Sequence, residues 1–254
     1  MNYFSPKSAA ERYAKGRPFF HPLIIGRIRQ LLSLTGALPR ALDVGCGTGL
    51  STVALQEIAG KVVGVDASPE MLAHAPRRAG LNFCMASAEK LPFSEGKFDF
   101  ITLSQVFHWL DREKFFAEAR RVLRRRGWLV VYDNYFSDRM DENEEFRDWF
   151  REFYLKKYPS PHRPWASFTT EETLEEGFEL ISQEMHENTQ NFSLTALVDY
   201  LMTHSNVIAA VEGGDEAAEA VRASLIERIE PYFAGRDEAG FLFKAPIWIM
   251  QRSA

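Results

Sequence analysis

Glycines stand at three alternate positions, Gly45, Gly47 and Gly49, between a short apolar run and a helical pattern that begins at Leu50. Glycine is needed where the backbone turns tightly and a ligand must approach without a Cβ in the way. Dinucleotide-binding folds also contain glycine loops, so the loop alone does not identify a ligand. This loop lacks the third glycine of the G-x-G-x-x-G pattern at the expected place.

Asp43 lies two residues before the first glycine, where it discriminates between ligand classes. A carboxylate about 5 Å from a pyrophosphate would cost several kcal/mol at an effective dielectric constant of about 20. The same carboxylate attracts an ammonium or a sulfonium group. Asp43 therefore favours a cationic cofactor and disfavours the nearest rival, a nucleotide-dependent oxidoreductase on the same type of sheet.

Asp66 ends the next apolar run, roughly 20 residues after the glycines, where an acidic side chain can accept both hydroxyls of a ribose. Its alternative role is a charge near the start of the helix that Ser68 and Pro69 predict. Taken together with Asp43, the ribose role is favoured. The two carboxylates predict a site for a nucleoside that carries a positive charge.

Alternating strands and helices must position these residues. Short β-type runs cover 41–44, 61–66, 81–86, 98–103 and 128–134, and helical spacing covers 23–35, 50–59 and 111–125. Such alternation predicts parallel strands joined by right-handed crossovers, an α/β fold with a doubly wound sheet. Ligands bind such sheets at the carboxyl ends of the strands.

The rest of the chain predicts further elements around this core. Residues 137–176 are acidic and aromatic and predict an inserted helical segment, 178–192 is extended, 194–203 and 216–233 are helical, and 240–251 closes as a strand. The predicted organisation is an N-terminal helical segment at 1–36, a cofactor-binding core at 37–136, a helical insertion at 137–177, and the end of the sheet at 178–254 with an insertion at 194–233.

Composition narrows the class of partner. A net charge of -5 gives no global reason to bind nucleic acid, and the arginines at 120, 121, 124, 125 and 126 are interpreted as the basic end of a helix. Cys46 and Cys84 have no metal-ligand spacing and are expected to be reduced thiols. With no apolar run long enough to cross a bilayer, we expect a cytoplasmic protein, monomeric or homodimeric, without a metal and without a membrane partner.

Four stretches resemble class I S-adenosylmethionine-dependent methyltransferases, in particular the small-molecule branch related to ubiquinone-biosynthesis and trans-aconitate methyltransferases. They are Ala41 to Gly49, Val63 to Ser68, Ala86 to Phe93 and Phe98 to Thr102, within a resemblance that covers about residues 38–135. The resemblance implies a mainly parallel, seven-stranded Rossmann-like sheet and S-adenosyl-L-methionine as cofactor.

The same resemblance implies roles for individual residues. The Gly45–Gly49 loop, with Cys46 and Thr48, would lie against the amino-acid part of the cofactor, and Asp66 would hold the ribose. Ala67 and Met71 would flank the adenine, and Ser87 and Ala88 would contact its amino group. Many relatives have aspartate where this chain has Ser87, which accepts a hydrogen bond more weakly. Glu89 is either part of this site or a surface charge at a helix start.

The stretch from Ser104 to Asp111 resembles the His-Trp element of the trans-aconitate-methyltransferase-like branch. In one interpretation Ser104 and Gln105 line the methionine end of the cofactor, while His108 and Trp109 face the substrate. In the other, Trp109 is core, His108 is a satisfied loop residue and Asp111 only caps the next helix.

An N-terminal element, Tyr13 to Pro18, is similar to the Tyr-x-x-x-Arg-Pro element that precedes the core in this branch. Tyr13 and Arg17 could close over the cofactor, with the arginine pairing with its carboxylate. The alternative is an exposed helix with an ordinary surface arginine.

The resemblance implies methyl transfer to a small molecule, for which the cofactor supplies the electrophile and the protein aligns the nucleophile. A carboxylate acceptor needs no general base, whereas a quinone-like or other hydroxylated acceptor needs one, and His108 is the first candidate. Residues 1–20, 137–176 and 194–233 are expected to form a cap that selects the acceptor. An inactive cofactor-binding partner protein stays open, because a fold does not guarantee turnover.

Overall fold

The computed structural model describes residues 4–160 and 167–254. The chain forms two compact units. The core unit comprises residues 19–134, 163–186 and 245–254, and the helical unit comprises residues 1–18, 135–162 and 187–244. Each unit is built from several separate stretches of the chain, so the predicted linear division at residues 36, 136 and 177 does not follow these units.

Five parallel strands form the centre of the core unit. They are β1 (Leu38–Val44), β2 (Ala59–Asp66), β3 (Leu81–Met85), β4 (Phe98–Ser104) and β5 (Leu123–Tyr132), in the spatial order β3-β2-β1-β4-β5. The order reverses between β1 and β4, so the carboxyl ends of these two strands flank the crevice where such sheets bind ligands. The prediction of a doubly wound parallel sheet is confirmed.

Three further strands complete the sheet: β6 (Tyr135–Met140), β7 (Phe178–Phe192) and β8 (Ala239–Arg252). β8 runs antiparallel to β5 and to β6, and β7 pairs with β8 off the main path. The sheet therefore has seven strands in its main order and one more, where seven were expected. The strand off the main path is β7, and the strand that the sequence did not predict is β6, which lies in the stretch predicted to be helical.

Five helices of the described chain belong to the core unit, and three of them begin at a capping side chain. They are α2 (His21–Leu31), α3 (Leu50–Ala54), α4 (Pro69–Leu72), α5 (Arg112–Val122) and α8 (Thr170–Glu175). Ser68 accepts the Met71 backbone N–H, and Asp111 accepts that of Lys114, so both predicted N-caps are confirmed. Thr169 and Glu172 form a reciprocal capping box at the start of α8.

Both faces of the core sheet are apolar, as a sheet covered by helices requires. Leu42, Ile101 and Leu129 belong to one buried cluster, and their chain neighbours Ala41 and Phe100 belong to another, together with α2. Because α2 packs in the second cluster, residues 19–36 belong to the core unit and not to a separate N-terminal cap.

The helical unit contains most of the remaining helices. They are α1 (Lys7–Gly16), α6 (Glu145–Trp149), a π-helical turn (Phe150–Tyr154), α7 (Leu155–Lys157), α9 (Leu194–Leu201), α10 (Ser205–Glu212) and α11 (Ala218–Phe233). Their apolar sides bury an aromatic cluster that includes Phe146, Tyr154 and Phe241. The predicted helix at 137–176 is wrong over β6, and its residues 161–166 lie outside the described residues.

Two predicted helices end earlier than expected. α3 gives way to a 3-10 turn and Ala59 already belongs to β2, where it pairs with Leu38. α5 ends at Val122, because Leu123 pairs with Phe98 as the first residue of β5. Arg124, Arg125 and Arg126 therefore lie on a strand, and the interpretation of all five arginines as one helix end is wrong.

Across the described ranges, no single helix is both long and apolar enough to cross a membrane. One pair, α9 with α10, meets the length and composition criteria only when both helices are counted together, and it is bent by 70°.

Candidate functional site

The glycine turn joins the end of β1 to the start of α3. Gly45, Gly47 and Gly49 have φ angles of 70°, 54° and 85°, in the left-handed region that favours glycine. The backbone N–H groups of Gly45 and Cys46 both donate to the Val65 carbonyl, at 2.8 and 3.0 Å. The turn is thereby tied to the neighbouring strand β2 and forms a fixed backbone surface at the carboxyl edge.

Space as well as φ requires glycine in this turn. A Cβ on Gly45 would lie 2.5 Å from a Val106 methyl group, and a Cβ on Gly47 would lie 3.0 Å from the terminal methyl of Met71. Val106 belongs to the loop after β4, and Met71 belongs to α4. The turn thus sits closely between the segments that follow β4 and β2.

Asp66 is fixed at the end of β2 by backbone donors. One carboxylate oxygen accepts the Gly47 N–H at 2.8 Å, and the other accepts the Ser68 N–H at 2.9 Å. Burial raises the pKa of Asp66, and these N–H groups act in the opposite direction. Each oxygen keeps a further lone pair, so the carboxylate can accept two more hydrogen bonds. This arrangement suits an acceptor for two adjacent hydroxyls.

The structure gives Asp43 a different role from the one that the sequence predicts. Its side chain is fully buried, and one oxygen accepts the hydroxyls of Ser51 and Thr52, both at 2.6 Å. Burial raises the pKa of Asp43 to about 7, against these two hydrogen bonds. Asp43 is therefore a buried anchor for the start of α3 and not an open carboxylate at the turn. Its other oxygen has no hydrogen-bond partner within the described chain.

Cys46 and Thr48 occupy the positions between the glycines and are both buried. Burial, reinforced by the nearby Asp43 and Asp66, raises the pKa of the Cys46 thiol well above its usual value. Cys46 is therefore a neutral thiol that fills space. Any contact of this pair with a ligand is left to their backbone.

The predicted adenine side lies after β2 and β3. Ala67 is exposed and Met71 is buried, and they stand at the end of β2 and within α4. Ser87 is exposed, and its hydroxyl donates to the Glu89 carboxylate. Glu89 also accepts the Asp111 backbone N–H at 3.1 Å, which links this turn to the start of α5. Glu89 thus has a structural role, and Ala88 beside it is buried.

The end of β4 is held against the end of β5. Gln105 has a φ of 58°, an uncommon conformation for a residue other than glycine, and its backbone N–H donates to the Tyr132 carbonyl at 3.2 Å. Its side-chain amide donates to the Asn134 carbonyl at 2.8 Å. Strained residues of this kind cluster at functional sites. The Ser104 hydroxyl is buried without a hydrogen-bond partner in the described ranges.

His108 and Trp109 lie on the 3-10 turn Phe107–Trp109 that follows. Their ring centroids are 4.9 Å apart, His108 is half-buried, and Trp109 is 37% exposed. Phe107 is the core residue of this turn, so the interpretation of Trp109 as core is wrong. Asp111 caps α5 as expected, and its hydrogen bond with Lys114 holds the pKa of the Asp111 carboxyl below its usual value.

Tyr13 and Arg17 belong to the helical unit. The Arg17 guanidinium lies over the rings of Tyr13 and Tyr200, 5.2 Å from each centroid, and contacts the Thr203 hydroxyl. Stacking of this kind fixes an arginine side chain while leaving its planar fork geometry intact. Arg17 is therefore an ordered residue of its unit, and its expected contact with the cofactor stays a prediction.

One buried polar pair escaped the sequence analysis. His21 Nδ1 lies 2.8 Å from the Tyr132 hydroxyl, and Phe20 stacks on the His21 ring at 4.2 Å. His21 begins α2 and Tyr132 ends β5. No motif connects them, since their contact depends on the packing of α2 against the sheet. In the sequence, the only indication was that His21 and Tyr132 are polar residues at the ends of apolar stretches.

Strand register places four of these residues in one row. Val44 pairs with Val65 and with Leu103, so the next position, Gly45, stands between Asp66 and Ser104. Ser104 in turn pairs with Tyr132. The turn, the acidic residue and the end of β4 thus meet at one edge of the sheet.

Within residues 4–160 and 167–254, no group of three or more His, Cys, Asp or Glu side chains could hold a metal ion.

Comparison with known proteins gives the class. Residues 42–131 match the methyltransferase domain family. An uncharacterised methyltransferase of Mycobacterium tuberculosis is 31% identical over 209 residues, which cover 80% of this chain and 77% of the relative. The chain therefore belongs to the class I S-adenosylmethionine-dependent methyltransferases.

Two further comparisons concern part of the chain and the overall fold. A demethylmenaquinone methyltransferase of Thermus thermophilus is 43% identical over 110 residues, 40% of this chain and 50% of the relative. A solved structure from Anaeromyxobacter dehalogenans, provisionally described as a type II methyltransferase, covers 90% of this chain and 95% of its own, with a TM-score of 0.65 and 23% identity. At that identity the second likeness supports the fold alone.

Proposed function

We propose that this chain binds S-adenosyl-L-methionine against the Gly45–Gly49 turn and Asp66, and transfers its methyl group to a small molecule. The observation that carries the proposal is the fixed Asp66 carboxylate, which accepts one backbone N–H on each oxygen and keeps capacity for two hydroxyls. Membership of the methyltransferase family supports the same cofactor.

The residues present fit this cofactor. Gly45 and Gly47 allow the turn to pack against Val106 and Met71, where a side chain would clash, and this packing fixes the turn beside Asp66. The buried Ser104 hydroxyl, without a partner in the described chain, stands in the same row as Asp66 and can meet a polar ligand group. A cofactor with ribose hydroxyls and a polar amino-acid end matches this set of groups.

The cofactor supplies an electrophilic methyl group when bound. The residues of this chain hold and orient the cofactor and the acceptor, and they exclude water from the site. Asp66 is held in place by the turn, so little conformational entropy remains to be lost on binding. The segment after β4 is pinned to β5 through Gln105, which fixes the position from which His108 and Trp109 project.

Two acceptor classes follow from the chemistry. A carboxylate is ionised at neutral pH and needs no general base, so alignment alone suffices. A hydroxyl or an acidic carbon needs a base, and the half-buried imidazole of His108 is the candidate. The second class is supported by the Thermus thermophilus relative, whose name states a quinone acceptor, demethylmenaquinone.

The test measures release of S-adenosylhomocysteine by the purified full-length chain with a panel of acceptors. The panel contains small carboxylic acids, hydroxylated quinones and simple phenols, each with an omission control without acceptor. Acceptor-dependent release supports the proposal and identifies the class. Tight binding of S-adenosylmethionine without release from any acceptor class would instead favour an inactive cofactor-binding partner protein.

A further inference from the structure

The Asp43 carboxyl group is buried without a positively charged neighbour. Its side chain has no exposed surface, and the groups that act on its charge are the hydroxyls of Ser51 and Thr52 and the carboxylate of Asp66. One oxygen, Oδ2, accepts both hydroxyls at 2.6 Å. The other oxygen, Oδ1, has no hydrogen-bond partner in the described ranges. When Asp43 is protonated, Oδ1 is therefore the oxygen that carries the proton.

The strands on either side of Asp43 bring no cation to it. In the register of the sheet, its neighbours are Gly64 in β2 and Thr102 in β4. The Thr102 side chain ends in a hydroxyl, which is buried and has no hydrogen-bond partner within the described chain. The titratable neighbours are Asp66 and Cys46, and burial keeps the Cys46 thiol neutral. Ionised Asp43 therefore faces hydroxyls and one like charge.

Helix α2 packs on the face of the sheet that carries Asp43. Ala41, two residues earlier in β1, points to the same face and belongs to the buried cluster that includes α2. The titratable and charged residues of α2 contact other groups: His21 contacts Tyr132, Arg27 contacts Glu184, and Arg29 contacts the Leu34 carbonyl. Among the described residues of the core unit, Asp43 thus has no counter-ion.

A positive charge at the glycine turn would supply this counter-ion. Two residues of chain span at most about 7 Å, so Asp43 lies within about 10 Å of a charge that contacts Gly45. At that distance and an effective dielectric constant of about 20, one unit charge changes an equilibrium about fifteenfold. Burial raises the pKa of Asp43 to about 7, so near neutral pH one such charge decides whether the carboxyl is ionised.

We infer that Asp43 discriminates between the two forms of the bound cofactor, being ionised beside the positively charged sulfonium and protonated on Oδ1 beside the neutral thioether that methyl transfer leaves. This inference rests on the proposed function. When the sulfonium binds, the proton of Oδ1 passes to solvent. When the methyl group carries the positive charge to the acceptor, the sulfur keeps the bonding electron pair and Asp43 takes up a proton again. Asp43 thereby favours the cofactor over the product by charge, without contact with either.

The pH dependence of two affinities tests this inference. The affinity for S-adenosylmethionine, divided by the affinity for S-adenosylhomocysteine, is expected to rise about four- to tenfold between pH 5.5 and pH 8, because the ionised carboxyl attracts only the sulfonium. In Asp43→Asn the ratio should follow only the titration of the ligands themselves. Asp99→Asn is the matched control and should keep the full rise, since Asp99 pairs with Arg124 near the start of β4.

Proton release gives a second measurement, which needs no variant. Calorimetry at pH 7 in two buffers of different ionisation enthalpy counts the protons exchanged on binding. We expect S-adenosylmethionine to release about 0.3–0.4 proton per chain more than S-adenosylhomocysteine.

Thr52→Val should move the midpoint of the affinity ratio to higher pH, because it removes a hydrogen bond that stabilises the ionised form. Thr102→Val is its matched control. The Thr102 hydroxyl makes no hydrogen bond with the carboxyl, so this variant should not raise the midpoint. Both changes replace a buried threonine by a side chain of the same shape, and they apply even where Asp43→Asn fails to fold.

The outcomes separate this inference from the proposed function. If both adenosyl compounds bind but the affinity ratio has the same pH dependence in the unmodified chain and in Asp43→Asn, the inference alone is overturned. Equal proton release with the two compounds, or an unchanged midpoint in Thr52→Val, would also overturn it. If neither compound binds at any pH, the proposed function fails and the inference fails with it.

Discussion

The Asp66 carboxylate accepts the Gly47 backbone N–H at 2.8 Å, although the two residues belong to different strand ends. This bond joins the acidic residue after β2 to the glycine turn after β1. The ribose-binding candidate and the backbone surface beside it are thereby one preorganised element. Preorganisation of this kind raises affinity by lowering the ordering cost of binding.

Asp66→Asn should weaken binding of S-adenosylmethionine and S-adenosylhomocysteine about ten- to hundredfold, because hydrogen bonds to a charged group are lost. Isothermal titration calorimetry measures the change. Asp99→Asn is the matched control, since Asp99 pairs with Arg124 at 2.9 Å near the start of β4, away from the carboxyl edge. Equal affinity losses in both variants would contradict the role given to Asp66.

Asp43 should make stability depend on pH. Burial raises its folded pKa to about 7 from 3.8, so the native state binds the proton more tightly than the unfolded state. Stability from this group is therefore full below pH 4 and is lost as pH rises towards 7, by about 4 kcal/mol in total. Urea unfolding should show this loss in the unmodified chain and a flatter profile in Asp43→Asn. Superimposable profiles would rule out the buried, proton-binding carboxyl.

Gly45→Ala should destabilise the fold by about 1–3 kcal/mol, because the new methyl group meets Val106 and the φ of 70° is unfavourable for alanine. Adding Val106→Ala removes the two methyl contacts, at 2.5 and 2.8 Å, but leaves the contact with the Cβ of residue 106 at 2.8 Å and the backbone strain. The double variant should therefore recover part of the difference in urea unfolding. If the two changes were simply additive, the close contact between these residues would not be the cause.

His108→Asn should separate the two acceptor classes. With a hydroxylated acceptor, the loss of a general base is expected to lower kcat about 10²- to 10⁴-fold. With a carboxylate acceptor, kcat should stay unchanged, and affinity for S-adenosylhomocysteine should stay unchanged in both cases. A uniform loss across both classes would indicate that His108 orders the loop and does not move a proton.

Tyr132→Phe should lower the free energy of unfolding by about 1–3 kcal/mol, since it removes a hydrogen bond between buried groups. The bond joins Tyr132 to His21 at 2.8 Å and connects β5 to the start of α2. Thermal and urea unfolding measure the loss, while calorimetry should show unchanged cofactor affinity. A loss of cofactor affinity without a loss of stability would instead indicate that His21 and Tyr132 take part in cofactor binding.

Local sequence signals predicted the elements that carry the site. Ser68 followed by Pro69, and Asp111 before α5, mark helix starts through bonds made within a few residues. The glycine turn was recognisable because its φ angles permit little else. These features depend on short stretches of chain, and the sequence contains them in full.

Features that depend on distant partners were missed. The Asp43 carboxyl is buried and accepts the hydroxyls of Ser51 and Thr52, so it is not the open carboxylate that the electrostatic argument assumed. The polar and aromatic composition of β6 was taken as helical, but the stretch is a strand because it pairs with β8, about a hundred residues later in the chain. Leu123 continues the helical pattern of the sequence, but it belongs to β5 because it pairs with Phe98 of β4. Tertiary pairing overrides local propensity in each case.

We propose that the Asp66 carboxylate and the glycine turn form a nucleoside site for an adenosyl sulfonium cofactor. Calorimetric titration of the purified chain with S-adenosylmethionine, S-adenosylhomocysteine and NAD tests it most directly. We expect saturable binding of both adenosyl compounds at one site per chain, with no measurable heat from NAD. Tight binding of NAD together with no binding of either adenosyl compound would contradict it.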